Sequence, residues 1–277
     1  MAEVGKFNRL KVVKQVDFGV YLDGDELDTI LLPQRYVPEG CELGDWLDVF
    51  LYFDSDDLLI ATTEKPKAQI GDCEMLKVVD INHAGAFMDW GLPKDLLVPY
   101  NEQQKPMEVG CSYVVHVYHD QNSDRIAAST KLSHYLDEEP VWLKPRQPVQ
   151  LLIAGRTDLG YKAVIDNKYL GLIFRADAYR PLKIGERLPG FVKTVRKDGK
   201  IDLIISQGGL QADHDLSEQI IAHLQQSGGV SELTDKSDPE AIYRTFKVSK
   251  KKYKQALGTL YKSKRIVISS AKIALAD

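Results

Sequence analysis

The sequence predicts a mainly β chain with a C-terminal α+β part: three tandem five-stranded barrels followed by a winged helix. A glycine-anchored pattern recurs three times in fixed register, and the hydrophobic period changes from strand-like to helical after residue 206. Net charge also switches, from acidic before residue 149 to basic after it.

The repeat is carried by spacing. Gly19, Gly85 and Gly160 each fall in the second strand of a unit, and fourteen residues on stand Pro33, Pro99 and Phe174. Eleven further come Gly44, Gly110 and Gly185, and fifteen beyond those Leu59, Arg125 and Lys200. Twelve landmarks in common register define units over 1–66, 67–135 and 149–206, with a connector at 136–148 and a tail at 207–277.

In the first unit, apolar strands begin at Leu10, Phe18, Thr29, Trp46 and Leu58; in the second, at Leu76, Gly85, Leu96, Tyr113 and Arg125. In the third they begin at Val149, Gly160, Leu170, Gly190 and Ile201, the last two joined by a hairpin at Asp198-Gly199. Five short strands with turn signals between them fit a barrel of the OB type. The three prolines of 131–148 predict an extended connector and a bend between halves. In the tail, Leu216, Ile220, Ile221 and Leu224 form one apolar stripe that ends at Gly228-Gly229. Asp238-Pro239 opens a second helix, and a third begins at Ser249 with Tyr253, Leu257, Leu260 and Tyr261 on its buried face. Two short β segments follow, at 265–268 and 272–275, which completes the winged-helix order.

With 44% hydrophobic and 27% charged residues, the chain of 277 can bury cores and is not compositionally disordered. No apolar run approaches the roughly 20 residues that span a bilayer, and the first residues lack a signal-peptide core, so a cytoplasmic protein without membrane partners is expected. Cys41, Cys73 and Cys111 are too few and too scattered for a disulfide framework or a zinc site. The His116 and His119 pair is three apart on a strand and faces opposite ways, while Asp54 to Asp57 reads as a hairpin turn. With no phosphate-binding glycine loop and no nucleophile turn, neither an enzyme, a metal nor a cofactor is expected.

Charge locates the candidate partner. Net charge is −8 over 1–65, −3 over 66–135 and −1 over 136–148, then +5 over 149–206 and +3 over 207–277. A basic back half points to a polyanion. In the first unit, a glycine bulge can bring Phe18 and Tyr21 onto one face as a stacking platform, but core filling is the preferred reading because −8 repels phosphates. The second keeps Phe87 but has Ala84 in place of the other ring, with Trp90 able to compensate; Arg125 can reach a phosphate or pair with Asp124 or Asp120. The third carries Tyr161 and Phe174 among Lys162, Lys168, Arg175, Lys193, Arg196, Lys197 and Lys200. Aromatic and basic residues interleaved on one small barrel fit a single-stranded RNA groove, with Tyr161, Phe174, Lys193 and Lys200 on four successive strands. In the tail, the lysine run from Lys247 through Lys250, Lys251, Lys252 and Lys254 opens the third helix, where it can hold phosphates or form a solvated face.

These residues also carry a resemblance. The order Phe18-Gly19-x-Tyr21, a Leu-Leu strand, Leu43-Gly44-Asp45 and a final strand resembles the RNA-binding barrel first described in ribosomal protein S-one. Three such units followed by the segments around Asp238-Pro239-Glu240 and Lys250 to Tyr261 resemble the conserved virulence factor B family. The resemblance implies non-catalytic RNA binding and post-transcriptional regulation. Expected partners are therefore single-stranded RNA, gripped by the third barrel and the tail with little sequence specificity. Duplex nucleic acid on the winged helix, in a DNA-binding transcription regulator, and a basic protein docked on the acidic first barrel are the alternatives.

Overall fold

The computed structural model describes residues 2–136, 143–178, 180–205, 211–246, 248–269 and 272–276. Strands β1 (Phe7–Val16), β2 (Gly19–Asp23), β3 (Thr29–Pro33), β4 (Trp46–Phe53) and β5 (Leu59–Thr62) close a barrel in the order β1-β2-β3-β5-β4. The same cyclic order recurs in β6 (Cys73–Asn82), β7 (Gly85–Asp89), β8 (Leu96–Pro99), β9 (Ser112–Asp120) and β10 (Arg125–Ser129). It recurs again in β11 (Pro148–Arg156), β12 (Gly160–Ile165), β13 (Tyr169–Phe174), β14 (Arg187–Val195) and β15 (Ile201–Ile204).

The repeated glycines have a steric cause. Gly19, Gly85 and Gly160 pair with Pro33, Pro99 and Phe174 at φ near +150° (152°, 153° and 157°). A Cβ at each would lie 2.2, 2.2 and 2.0 Å from the carbonyl oxygen of Leu32, Val98 and Ile173. Only glycine lets the third strand approach so closely. Gly85→Ala is therefore expected to destabilise by about 2–4 kcal/mol through backbone strain and overpacking, read as a lowered urea midpoint. A change under about 0.5 kcal/mol would mean the strands can part at no cost.

The second glycine set fixes a bulge. Gly44, Gly110 and Gly185 donate their N–H groups to the carbonyls of Val12, Val78 and Ile153 at 2.9, 2.8 and 2.8 Å. Each carbonyl lies just before the extra residue, Val13, Val79 or Ala154, where the register between the first two strands shifts. The last landmark slips by one residue: Leu51 pairs with Ala61, but Val117 pairs with Ala128, so the closing hairpin of the second barrel is one residue longer.

The barrels share cores. In β4, Val49 and Leu51 point into the first barrel, while Phe50 and Tyr52 point out and join the core around Leu76, Met88 and Val115 of the second. Between the second and third barrels, Cys73 and Val114 pack with Leu152, Val164 and Leu170. Asn167 bridges the same seam, donating to Asp72 Oδ1 at 2.8 Å and accepting from the Cys73 N–H at 3.2 Å. Of the expected connector, Leu136 is buried in that seam and residues 144–147 form a turn, while 137–142 lie outside the described residues.

By its internal contacts the chain divides into two compact units, Met1–Leu203 and Ile204–Asp277. The second contains α1 (Gln211–Gln226), β16 (Val230–Ser231), α2 (Pro239–Phe246), α3 (Lys250–Lys262), β17 (Ile266–Ile268) and β18 (Ile273–Leu275), with sheet order β16-β18-β17. The Gly229 N–H closes α1 on the Leu224 carbonyl at 2.7 Å, with Gly228 and Gly229 both at positive φ. Asp238 caps α2 through the Glu240 N–H at 2.9 Å, and Ser249 caps α3. The expected two-strand hairpin gains a third strand, β16, too short to carry a periodic signal. Among the described residues no helix is long and apolar enough to cross a membrane.

Candidate nucleic-acid interface

Phe18 and Tyr21 share a face, with ring centroids 6.4 Å apart in an edge-to-face arrangement. Phe18 is 58% exposed, which overturns the core-filling reading of that ring. The geometry has a different origin from the bulge expected at the glycine. Pairing across Gly19 is regular, and the bulge sits on the facing strand at Val13. Phe18 precedes β2, in the turn, and its carbonyl accepts from the Gln34 N–H at 2.9 Å. Lys14 Nζ lies 5.8 Å from the Tyr21 centroid, a cation the sequence reading passed over.

Counting from each glycine identifies the equivalent outward positions. They are Phe18 and Tyr21 in the first barrel, Ala84 and Phe87 in the second, and Leu159 and Lys162 in the third. Leu159 is exposed, and Lys162 and Lys200 both line a hollow of about 170 Å³ together with Leu170, Leu172 and Ile201. Tyr161 occupies the inward position of Val20 and Ala86. It pairs with the buried Ile173, and its hydroxyl accepts from the Leu182 N–H at 3.3 Å. The third barrel thus does not present Tyr161 as an open platform; the fuller ring pair stands on the first.

The remaining cations of the third barrel are mostly engaged. Arg196 lies 5.4 Å from the Phe174 ring centroid and pairs with Asp202 at 2.7 Å. Lys193 pairs with Asp177 at 2.6 Å and Lys200 with Asp198 at 3.6 Å, while Arg175 donates to the Asp158 carbonyl at 3.3 Å. Lys197 and Lys168 are exposed. Of these pairs only Lys200–Asp198 is exposed on both sides and so contributes about 0–1 kcal/mol, which lets a phosphate displace its carboxylate at small cost. The Asp177 and Asp202 side chains are mostly buried and hold Lys193 and Arg196 more firmly.

In the second barrel, Trp90 is 3% exposed, donates Nε1–H to the Lys94 carbonyl at 2.7 Å and packs edge-on against Phe50. It is a core residue and does not restore the platform. Arg125 pairs with neither Asp120 nor Asp124 but with Asp57 of the first barrel at 2.5 Å; Lys94 reaches the same carboxylate at 2.8 Å. The Lys94 hydrogen bond, with Arg125 beside it, holds the Asp57 carboxyl below its ordinary range. That partnership joins residues 37 and 68 positions apart, which no local pattern announces. The histidines do part: His116 is buried against Cys73 Sγ at 3.5 Å, and His119 pairs with Asp124 at 2.8 Å. Burial pushes the Cys73 thiol up to about 12, so it is no nucleophile.

On α3, Lys250 Nζ donates to the Lys236 carbonyl at 3.2 Å, Lys254 lies 3.8 Å from Asp235, and Lys251 is exposed. Lys252 is half-buried, and Lys247 lies outside the described residues.

Comparison with known proteins follows the architecture. The S1 domain family matches residues 4–64 and 70–131, the first two barrels, and the CvfB-like winged helix domain matches 218–275. Both are non-catalytic nucleic-acid-binding modules, which gives the chain a general nucleic-acid-binding role. Uncharacterized protein YitL of Bacillus subtilis is 29% identical, covering 93% of this chain and 88% of the relative. Conserved virulence factor B of Staphylococcus saprophyticus is 26% identical over 98% of this chain and 94% of its own. A Streptococcus pneumoniae crystal structure, described as a multidomain protein with nucleic acid binding domains, is 22% identical over 98% of both chains, at a TM-score of 0.42. With two S1-type barrels, the matching winged helix and relatives of this name along nearly its whole length, the chain belongs to the conserved virulence factor B family.

Proposed function

We propose that the chain binds single-stranded RNA with little sequence preference and acts after transcription. The carrying observation is the edge-to-face pair of exposed Phe18 and half-buried Tyr21, the latter at the outward position that Phe87 and Lys162 occupy in the next two barrels. Stacking on such rings is sequence-tolerant and needs no cation of its own, although the strand's phosphates still meet the net charge of −8 of the first barrel. Affinity then comes from cations elsewhere: Lys162, Lys200, Arg175, Arg196, Lys197 and Lys193 on the third barrel, and Lys250, Lys251 and Lys254 on α3. Phe174, with Arg196 against its ring, supports the same surface, whereas Tyr161 contributes by holding the barrel end.

Titrating a fluorescent oligoribonucleotide against the full chain at increasing salt tests this. Binding should weaken with a slope of about 0.7 per phosphate neutralised, and Lys162→Gln and Lys200→Gln should each lower the slope by about that amount. A flat salt dependence would overturn the electrostatic half of the reading. The exposed Lys251 at the start of α3 favours a second reading, duplex DNA binding by the winged helix. It predicts that a DNA duplex outcompetes the single strand and that Lys251→Glu abolishes the difference. Docking of a basic protein on the first barrel has less support, since Asp57 is already neutralised by Lys94 and Arg125.

A further inference from the structure

The outward face of a barrel's first and fourth strands is where barrels of this chain meet. Counted from the bulges at Val13, Val79 and Ala154, the pair Arg9 and Asp48 in the first barrel corresponds to Met75 and Val114 in the second. The pair Lys11 and Trp46 corresponds to Leu152 and Arg187 in the third. The second and third barrels use these positions on each other. Val114 and Leu152 belong to one buried cluster, and Arg187 donates to the Cys73 carbonyl at 2.7 Å and to Glu74 at 2.9 Å. Met75 lies so close to Gly185 that a Cβ there would come within 2.1 Å of its sulfur.

The first barrel leaves most of the same face open. Phe50 is covered by the second barrel, but Phe7, packed edge-on against it, is 44% exposed, and Trp46 at the start of β4 is 58% exposed. Arg9, Lys11 and Asp48 are exposed as well, with no ion pair among the described residues. Through Phe7 the apolar surface of the first seam therefore continues into an uncovered face that ends in a tryptophan, the residue type most enriched at the centres of interfaces.

Charge identifies the occupant. Two first barrels repel, since each carries −8 over residues 1–65. On this face, however, Arg9 and Lys11 outnumber Asp48, so it is where two such barrels can approach. A basic protein would be drawn to the acidic remainder, away from Trp46. The face also holds a ring beside a cation and a carboxylate beside a guanidinium, the mixture that a self-complementary contact requires. Its strand β4 is no neighbour of β2, which carries Tyr21, so a strand stacked there leaves it free.

We infer that this face closes on the same face of a second copy of the chain, giving a two-fold homodimer centred on Trp46. The contact is independent of RNA binding. A single barrel face is small for an interface, so the dimer is weak, with a Kd of about 10 µM.

Sedimentation velocity on the full chain from about 1 to 300 µM tests this: the weight-average mass should climb reversibly from one chain toward two. Trp46→Glu should raise the Kd at least about tenfold, whereas Trp46→Phe should retain most of the association. Arg9→Glu combined with Lys11→Glu should weaken it similarly at low salt, and added salt should restore part of it. All these positions are exposed, and an unchanged melting temperature shows that the variants are folded. A chain that stays monomeric at 300 µM overturns the inference, and so does a dimer that Trp46→Glu leaves intact. Loss of oligoribonucleotide binding in Trp46→Glu without a change in mass would also overturn it, by making Trp46 a stacking ring. Phe18→Ala should leave self-association unchanged, so failure of the proposed function and failure of the dimer are read separately.

Discussion

Phe50→Ala is expected to lower the unfolding free energy by about 3–5 kcal/mol, the cost of deleting a fully buried ring and leaving part of its cavity. Phe50 is fully buried although it points away from its own barrel, and its ring contacts Phe7 at 5.3 Å and Trp90 of the second barrel at 5.7 Å. Its loss therefore damages a seam rather than one core. Chemical denaturation should give a single transition in the wild-type chain's first two barrels, shifted down by the variant, and Phe50→Leu should retain most of the stability. A double-mutant cycle with Trp90→Leu should return a coupling of about 0.5–1.5 kcal/mol, the range for an aromatic pair in contact. Additive effects would mean that the barrels touch without stabilising each other.

The run Val49-Phe50-Leu51-Tyr52 held the clue to that seam. A half-exposed strand alternates apolar and polar residues, so four apolar residues in succession require both faces to be covered. The barrels themselves were legible because Gly19, Gly85 and Gly160 record a backbone conformation that other residues cannot adopt, and the winged helix because Asp238-Pro239 and Gly228-Gly229 are local signals. Side-chain direction was read less well. Tyr161 follows its glycine by one residue and Tyr21 by two, which on a strand places them on opposite faces. Counting from the glycine would have assigned Tyr161 inward with Val20 and Ala86, and Lys162 outward. The Asp57 bracket had no such signal: an acidic turn looks alike whether it faces water or a distant arginine, and only the packing of the two barrels distinguishes them.

Phe18→Ala and Tyr21→Ala should each weaken oligoribonucleotide binding by about 1–3 kcal/mol, or about 5- to 150-fold, the range for a base stacked on one ring. The two losses should be less than additive, because each ring is the other's edge-to-face neighbour and removing one leaves its partner free to reorient. The slope of affinity against salt separates this surface from the basic one. A ring carries no charge and releases no counterions, so these variants should shift the binding curve at every salt concentration without changing its slope. Lysine variants of the third barrel should change the slope as well. Phe18→Ala is also expected to leave thermal stability within about 0.5 kcal/mol, since most of its surface is already in water. Unchanged affinity with unchanged stability would leave Phe18 as an exposed ring without a partner, and would move the grip onto the third barrel and α3.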